Sequence, residues 1–231
     1  MSVNPRLILP LRERLHVDYP IRIDSAIGLG TPPSQRVQRA LRRPPRITFL
    51  DKAATFVYAI WELEPHAWML WMLIRRPGEF PRAAGRLAAT FDLTLLGYWL
   101  LPTSPPWWSS EKLGRMNGDV HRVVIEVKRE LRGQPRPVGQ HEVGANPWAS
   151  MPSDHFGSAL MTGLVLFEAN RQLGSFALAY ALLLGACLVY LGEHYVIDLV
   201  AGAGLAALVY VVEPKVGPVV GRLAEAWPVP G

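Results

Sequence analysis

Long apolar runs separated by arginine-rich stretches are the main pattern along this chain. Residues 172–192 and 199–212 carry no charged side chain. An uncharged run of about 20 residues is the length that crosses the hydrocarbon core of a bilayer. Five apolar segments follow this pattern, at about 53–74, 87–101, 149–169, 173–191 and 195–212. The pattern predicts an all-α, polytopic transmembrane helix bundle of five, at most six, spanning helices.

The regions outside these segments divide the chain further. Residues 1–50 are rich in Arg and Pro and are predicted to be an N-terminal tail, either interfacial or flexible. Within this tail, residues 36–43 fit a short basic amphipathic turn at lipid headgroups. Residues 51–213 form the predicted transmembrane domain, and residues 214–231 are a predicted C-terminal tail.

The long loop between the second and third apolar segments contains a helical pattern of its own. Its apolar positions recur with helical spacing at Val120, Val123, Val124, Val127 and Leu131. This helix is predicted to lie in the membrane interface or to pack onto the bundle. Trp107 and Trp108, which follow two prolines at the start of the loop, suit the headgroup level.

Charged groups near the first two segments lead to two further expectations. Glu62, Glu64 and His66 are costly at mid-bilayer, so they either line a substrate cleft or lie near an interface or in hydrogen bonds between helices. Residues 75–86 contain four arginines and are predicted to be a short loop.

Composition narrows the class of partner. The net charge is +5, and basic residues flank the apolar segments. Such residues match anionic lipid headgroups, so the predicted partners are membrane lipids and not nucleic acid. The single cysteine, Cys187, excludes an intrachain disulfide.

Two polar motifs are predicted to share one membrane face. Met-Pro-Ser-Asp-His occupies residues 151–155, and Gly-Glu-His-Tyr-Val-Ile-Asp occupies residues 192–198. The connections near residues 170–172 and 192–193 are short, so neighbouring helices are antiparallel. Both motifs, and the Pro-Pro-Trp-Trp run of the long loop, then lie at the same end of the bundle.

The residue types in these motifs suit phosphoryl transfer. His194 and Asp198 are four residues apart, so on a helix they lie on one face. A carboxylate bonded to one imidazole nitrogen leaves the other nitrogen free to attack phosphorus. His155 is a candidate general acid and base, and Ser153 is a candidate helix N-cap beside an anion site. Two alternatives stay open: a metal site made from the two histidines and the carboxylate, and histidines that only form structural hydrogen bonds.

The combination of Pro-Ser-x-His with His-Tyr-x-x-Asp about forty residues later resembles the type-2 phosphatidic acid phosphatase superfamily. Residues 101–108, 146–157 and 189–202 are similar to its branch of inositol phosphorylceramide synthases, and the resemblance covers about residues 50–212. It implies an integral-membrane phosphatase or phosphotransferase that acts on a lipid phosphate through a phosphohistidine, with no metal or other cofactor.

The resemblance also implies residue roles. His194 would be the nucleophile, Asp198 its orienting partner, and His155 the general acid and base. It further implies a plasma-membrane protein with its site on the extracytoplasmic side. The basic residues of the tail and the loop, which would share the face of the site, favour the cytoplasm instead by the positive-inside rule.

The sequence departs from the superfamily pattern at three places. The first motif of the superfamily, a Lys, six residues and then Arg-Pro, is matched only approximately by Arg129 and Arg136-Pro137. Cys187 and Leu188 replace a Ser-Arg pair, so a phosphate-binding arginine is missing, a loss that the sphingolipid-synthase branch tolerates. The candidate phosphate ligands are then Ser153, Lys112, Arg122, Arg129 and Arg136. Asp154 stands where the branch has an apolar residue, and it would repel phosphate unless it faces solvent or pairs with a basic residue. The sequence leaves open whether water or an alcohol accepts the phosphoryl group. It also leaves open whether the chain is a catalytically degenerate lipid-binding protein.

Overall fold

The computed structural model describes residues 14–134 and 146–226. Within these ranges the chain forms helices and isolated β-bridges, and no strand. The helices are α1 Asp18–Ile27, α2 Pro33–Leu41, α3 Phe49–Ile60, α4 Glu64–Arg75, α5 Phe80–Leu100, α6 Pro106–Glu111, a 3-10 turn Arg115–Gly118, α7 Val123–Leu131, α8 Asp154–Ala169, α9 Arg171–Tyr190 and α10 Val196–Ala226.

Helices occupy all five predicted apolar segments. The first segment is divided into α3 and α4, and the others correspond to α5, α8, α9 and α10. Among the described helices, only α9 and the part of α10 at Val196–Gly217 are both long and apolar enough to cross a membrane by length and composition. The count of five or six spanning helices therefore stays a prediction.

α8 lies at the centre of the bundle, against α9, α10 and α5. Met161 and Leu166 of α8 are fully buried, as is Ala206 of α10. α10 approaches the start of α8 closely at Gly202, where a Cβ atom would collide with the carbonyl oxygen of Ser153. Small residues at positions 202 and 206 thus permit close helix packing.

The outer faces of the long helices are apolar. Leu95 of α5, Phe176 and Leu182 of α9, and Leu208 and Val211 of α10 are all largely exposed. A soluble monomer rarely exposes such an extensive apolar surface, whereas lipid chains would cover it. This surface agrees with the predicted membrane bundle.

α5 begins earlier than predicted. The expected arginine loop is confined to the residues between α4 and α5, and Arg82 and Arg86 lie inside the helix. Arg86 is only 1% exposed, and its guanidinium group donates to Glu168 at 2.8 Å and to Glu213 at 2.9 Å. The prediction of a loop was wrong because these carboxylates, distant in sequence, pair with the arginine and allow it to enter the bundle.

α7 confirms the predicted helix of the long loop. Val123, Val124 and Val127 are buried against α3 and the end of α9, whereas Leu131 is 70% exposed. Of the two placements predicted for this helix, the structure shows packing onto the bundle.

The segment predicted as an N-terminal tail contains two helices that pack onto the bundle. α1 contacts α10, and α2 contacts α9. The side-chain amide of Gln38 donates to the carbonyl oxygens of His121 and Tyr190, at 2.9 and 2.8 Å. At the other end of the chain, α10 continues through the first part of the predicted C-terminal tail to Ala226. The domain boundaries at residues 50 and 213 stay predictions.

Candidate active site

The two motifs meet at one end of the bundle, as predicted. His155 is the second residue of α8, and His194 comes just before α10. The Nδ1 atom of His155 lies 3.2 Å from Nε2 of His194. Trp107, from the Pro-Pro-Trp-Trp run, is beside them, and its backbone N–H donates to the carbonyl oxygen of Gly192 at 3.0 Å.

The second ring nitrogen of His194 defines the tautomer. Nδ1 is 2.9 Å from the carbonyl oxygen of Ser150 and 3.4 Å from Oδ2 of Asp198. A carbonyl oxygen can only accept, so Nδ1 carries the hydrogen in this contact. Nε2 then keeps its lone pair, directed towards His155. This arrangement leaves Nε2 without a hydrogen, on the side of His194 that faces His155.

Asp198 contacts His194 by a different geometry from the one predicted. His194 precedes the first turn of α10, so the two residues do not lie on one helical face. Oδ2 of Asp198 instead accepts from the backbone N–H of Tyr195 at 2.8 Å and from the hydroxyl of Ser150 at 2.6 Å. The first N–H groups of a helix need acceptors, and Asp198 reaches back to satisfy one of them.

The same helix end is capped by a residue from the N-terminal part of the chain. Asp24 of α1 is fully buried, and its two carboxylate oxygens accept from the backbone N–H groups of Val196 and Ile197, at 2.9 and 3.0 Å. Burial raises the pKa of Asp24 to about 6. Sequence analysis missed Asp24, which lies in the Arg- and Pro-rich segment without a recognisable motif.

Aromatic rings hold His155 in place. The ring centroids of Trp61 and Tyr58, both near the end of α3, lie 4.2 and 5.1 Å from that of His155. The indole N–H of Trp61 donates to the hydroxyl of Ser158 at 2.9 Å, which orients its ring against α8. The break between α3 and α4 thus provides one wall of the site.

A cavity of about 270 Å³ opens beside the two histidines. The described residues that line it are Tyr58, Tyr98, Pro105, Trp107, Arg122, Asn146, Ala149, Asp154, His155, Glu193 and His194. Both catalytic histidine candidates face this space, together with acidic, basic and aromatic groups. Its size and polarity suit a phosphate group and the adjoining part of a substrate.

Arg122 is the predicted phosphate ligand that the structure brings to the cavity. Its guanidinium group donates to both carboxylate oxygens of Glu193, at 2.8 and 3.3 Å, and lies 4.6 Å from the ring centroid of Trp107. Trp107 was expected at the headgroup level. In the structure it is buried, with its ring against the guanidinium group of Arg122. Sequence analysis missed Glu193, although it directly precedes His194.

The other predicted phosphate ligands lie elsewhere. Lys112 is exposed after α6, and Arg129 is in α7, outside the described cavity lining. Arg136 lies outside the described residues. Ser153 is the predicted N-cap of α8, with its hydroxyl accepting from the N–H of Phe156 at 3.3 Å, but it is fully buried and is not among the described residues that line the cavity.

Asp154 meets neither of the expectations set for it. It lines the cavity instead of facing bulk solvent, and its backbone N–H donates to the hydroxyl of Tyr98 at 3.3 Å. Its Oδ1 atom is buried and has no hydrogen-bond partner among residues 14–134 and 146–226. Sequence analysis missed Tyr98, which gives no signal within its apolar helix.

The polar residues of the first apolar segment do not line the described cavity. Glu62 and His66 are exposed, whereas Glu64 is buried at the start of α4. Neither carboxylate oxygen of Glu64 has a hydrogen-bond partner in the described parts of the chain. Of the two placements expected for these residues, the substrate cleft does not agree with the described cavity, because the chain breaks at residues 61–63 and turns them away from it.

The metal alternative can be compared with the geometry. The two nitrogens of His194 point in opposite directions, towards His155 and towards Asp198, so these three groups do not surround one point. Within the described ranges, Glu111, His121 and Glu126 have ligand atoms within 4.8 Å of one another. They contact protein groups instead: His121 contacts Glu111, and Glu126 accepts from Arg42.

The fold and the site together define an all-helical membrane protein with a histidine-based polar centre at one end of the bundle. The sequence profile of the PAP2 superfamily matches residues 21–212. The chain therefore belongs to the PAP2 superfamily, the type-2 phosphatidic acid phosphatases that its motifs predicted. The match begins inside the predicted N-terminal tail, in agreement with the packing of α1.

The structure is similar to the crystal structure of Aquifex aeolicus LpxE. The TM-score is 0.57 at 16% sequence identity, and the alignment covers 79% of this chain and 92% of that chain. At this identity the similarity concerns the fold. No curated protein sequence matches the chain.

Proposed function

We propose that this protein is an integral-membrane lipid phosphatase or phosphotransferase that acts through a phosphohistidine on His194. Membership of the PAP2 superfamily supports a lipid phosphatase. The observation that carries the mechanism is the orientation of His194, whose Nδ1 is held by Ser150 and Asp198 while Nε2 faces His155 and the cavity.

In the first step, substrate phosphate displaces the contact between the two histidines, and Nε2 of His194 attacks phosphorus. The nitrogen–phosphorus bond forms as the bond to the lipid oxygen breaks, and His155 gives that oxygen a proton. The ring of His194 becomes positively charged. Asp198 and the carbonyl oxygen of Ser150 stabilise this charge through Nδ1.

In the second step, His155 takes a proton from the acceptor. With water as the acceptor, the oxygen attacks phosphorus, the bond to His194 breaks, and inorganic phosphate leaves. His155 then carries the proton needed for the next cycle. The net reaction of the two steps is hydrolysis of the lipid phosphate to a lipid alcohol and inorganic phosphate, without a metal or other cofactor.

Arg122 supports the phosphate in this mechanism. It is the arginine that lines the described part of the cavity, and it compensates for the arginine missing at positions 187 and 188. Glu193 and Trp107 hold its planar guanidinium group at the cavity wall. A guanidinium group can donate hydrogen bonds to two phosphate oxygens at once.

Transfer to an alcohol is the second candidate reaction. Cys187 and Leu188, in place of the Ser-Arg pair, are the feature shared with the branch of inositol phosphorylceramide synthases. In that reaction a headgroup hydroxyl replaces water in the second step. We place the site on the extracytoplasmic face of the plasma membrane, as the resemblance implies, and labelling of Asn146→Cys by an impermeant thiol reagent in intact cells tests this placement.

The first experiment is phosphate release from a panel of lipid phosphates in detergent with excess chelator. We expect wild-type protein to release phosphate and His194→Ala to lose activity on the order of 10⁴-fold, because the nucleophile is removed. His66→Ala is the matched control, since His66 is exposed in α4. Activity in His194→Ala contradicts the phosphohistidine, and loss of wild-type activity to the chelator contradicts metal independence.

The acceptor is tested with a labelled lipid phosphate and added alcohols. If folded wild-type protein releases no phosphate but labels an alcohol, the protein is a transferase. If it does neither, the proposal of an enzyme fails and a lipid-binding protein takes its place.

A further inference from the structure

Asp154 is a group that the proposed mechanism does not use. It is the first residue of α8, next to His155, and it lines the same cavity as His194 and Arg122. Its Oδ1 atom is buried and has no hydrogen-bond partner in the parts of the chain that the structure describes.

Such an oxygen is unfavourable in a folded protein. A buried polar atom left without a partner destabilises the folded state, and more so when the group is charged. An acidic residue in the first turn of a helix is stabilised by the helix dipole, which accounts for an acid at this position. The dipole does not account for a carboxylate with an unpaired Oδ1, and because the half-buried side chain borders the cavity, a ligand there can offer the carboxylate a hydrogen-bond donor.

Phosphate is not that ligand. Its oxygens are negatively charged, and a carboxylate beside them adds repulsion. The cavity already provides Arg122 and the histidines for the phosphate, and Glu193 is neutralised by its two hydrogen bonds to Arg122. What Asp154 lacks is a hydrogen-bond donor.

Resting on the proposed function, we infer that Asp154 accepts a hydrogen bond from a donor, either hydroxyl or ammonium, carried by the lipid substrate next to its phosphoryl group. The cavity of about 270 Å³ accommodates a phosphate together with the first carbons of a headgroup. Asp154 is therefore a specificity-determining residue. It selects lipid phosphates that bear a donor beside the phosphate over those that do not.

The test uses three lipids that differ in one group. They are 1-oleoyl-sn-glycerol 3-phosphate, its analogue with an amine at carbon 2, and its analogue with only hydrogen at carbon 2. Phosphate release by the full chain in detergent gives kcat/KM for each. We expect wild-type protein to prefer at least one donor lipid over the deoxy lipid by about 10- to 100-fold, as for a hydrogen bond to a charged group.

Variants connect this preference to Asp154. In Asp154→Leu the ratio should fall to about 1, because no acceptor remains. Asp154→Asn keeps the shape and a weaker acceptor, so the ratio should fall about fivefold, even where the leucine variant does not fold. Asp92→Asn, at an exposed position of α5, is the matched control and should keep the wild-type ratio. A wild-type protein indifferent to the donor, or a ratio unchanged in Asp154→Asn, would overturn the inference.

Binding measurements distinguish a failure of this inference from a failure of the proposed function. The same three lipids are titrated into His194→Ala, with and without Asp154→Asn. If wild-type protein neither releases phosphate from any lipid of the panel nor transfers it to an alcohol, the proposed function fails, but a donor preference in binding that depends on Asp154 still supports the inference. Equal binding of all three lipids contradicts it. Comparison of the hydroxyl and amine lipids identifies the preferred donor.

Discussion

The two ends of the bundle use buried charges in opposite ways. At the end away from the histidines, about 20 Å along α8 from His155, Arg86 is bonded to Glu168 and Glu213. Tyr210 donates to Glu168 at 2.7 Å, and its ring lies 4.5 Å from the Arg86 guanidinium. This ionic cluster joins α5, α8 and α10.

At the catalytic end, the buried polar groups keep unused hydrogen-bonding capacity. Oδ1 of Asp154 and Oδ1 of Asp198 have no hydrogen-bond partner in the described ranges. Among the residues that the structure describes, Nε2 of His194 contacts only the ring of His155. A cluster whose groups satisfy one another stabilises the fold, whereas a site with unused acceptors is available to a ligand. Substitutions at the two ends should therefore separate stability from activity.

The largest expected effect is on activity, at Asp198. Asp198→Asn keeps the shape of the side chain but removes the charge that stabilises His194, so we expect kcat to fall by about 10²- to 10⁴-fold. Asp24→Asn is the matched control, because Asp24 caps the same helix, is equally buried and does not contact His194. Phosphate release measures both. Equal losses in the two variants would show that Asp198 acts only as a helix cap.

At the opposite end, the expected effect is on stability. Arg86→Leu removes the buried partner of two carboxylates, of which Glu213 keeps Arg82 and Glu168 is 40% exposed, so we expect the free energy of unfolding to fall by about 1.5–3 kcal/mol, with unchanged kcat in the folded fraction. Arg82→Leu is the control, since Arg82 is half-exposed, bonds to the same Glu213 and should contribute about 0–1 kcal/mol. Thermal unfolding in detergent measures both. A fall in kcat for Arg86→Leu would contradict the separation.

The raised pKa of Asp24 leads us to expect that the stability of the fold depends on pH. Burial raises its pKa from 3.8 to about 6, so folding favours the protonated form. The stability due to this group is complete below pH 3.8 and is lost as the pH rises through about 6. The difference in Tm between wild-type protein and Asp24→Asn should therefore shrink over that range. Asp18→Asn, an exposed change in the same helix, should follow the wild-type curve, and a constant difference for Asp24→Asn would contradict the prediction.

The smallest expected effect is at Ser150. Ser150→Ala removes the hydroxyl that donates to Asp198 but keeps the carbonyl that accepts from His194. Loss of one such hydrogen bond corresponds to about 1 kcal/mol, or about a fivefold decrease in kcat. A decrease as large as that of Asp198→Asn would mean that Ser150 acts directly on the reacting groups.

The sequence by itself determined the five apolar helical segments, the family and the meeting of the two histidine motifs. Apolar runs are local patterns, and each determines a helix without knowledge of its neighbours. The Pro-Ser-x-His and His-Tyr-x-x-Asp motifs are also local, and short antiparallel connections were sufficient to bring His155 and His194 to one end of the bundle. The existence of α7 could be predicted for the same reason, although its placement was left open between the membrane interface and the bundle.

Only the tertiary structure decided which groups complete the site. Asp24 meets the start of α10, and Arg122 meets Glu193, across long stretches of chain that no periodicity relates. Arg86 can lie buried inside α5 because two other helices bring Glu168 and Glu213 to its guanidinium group. The free energy of a buried charge depends on the partners that folding brings to it, and local sequence does not contain those partners.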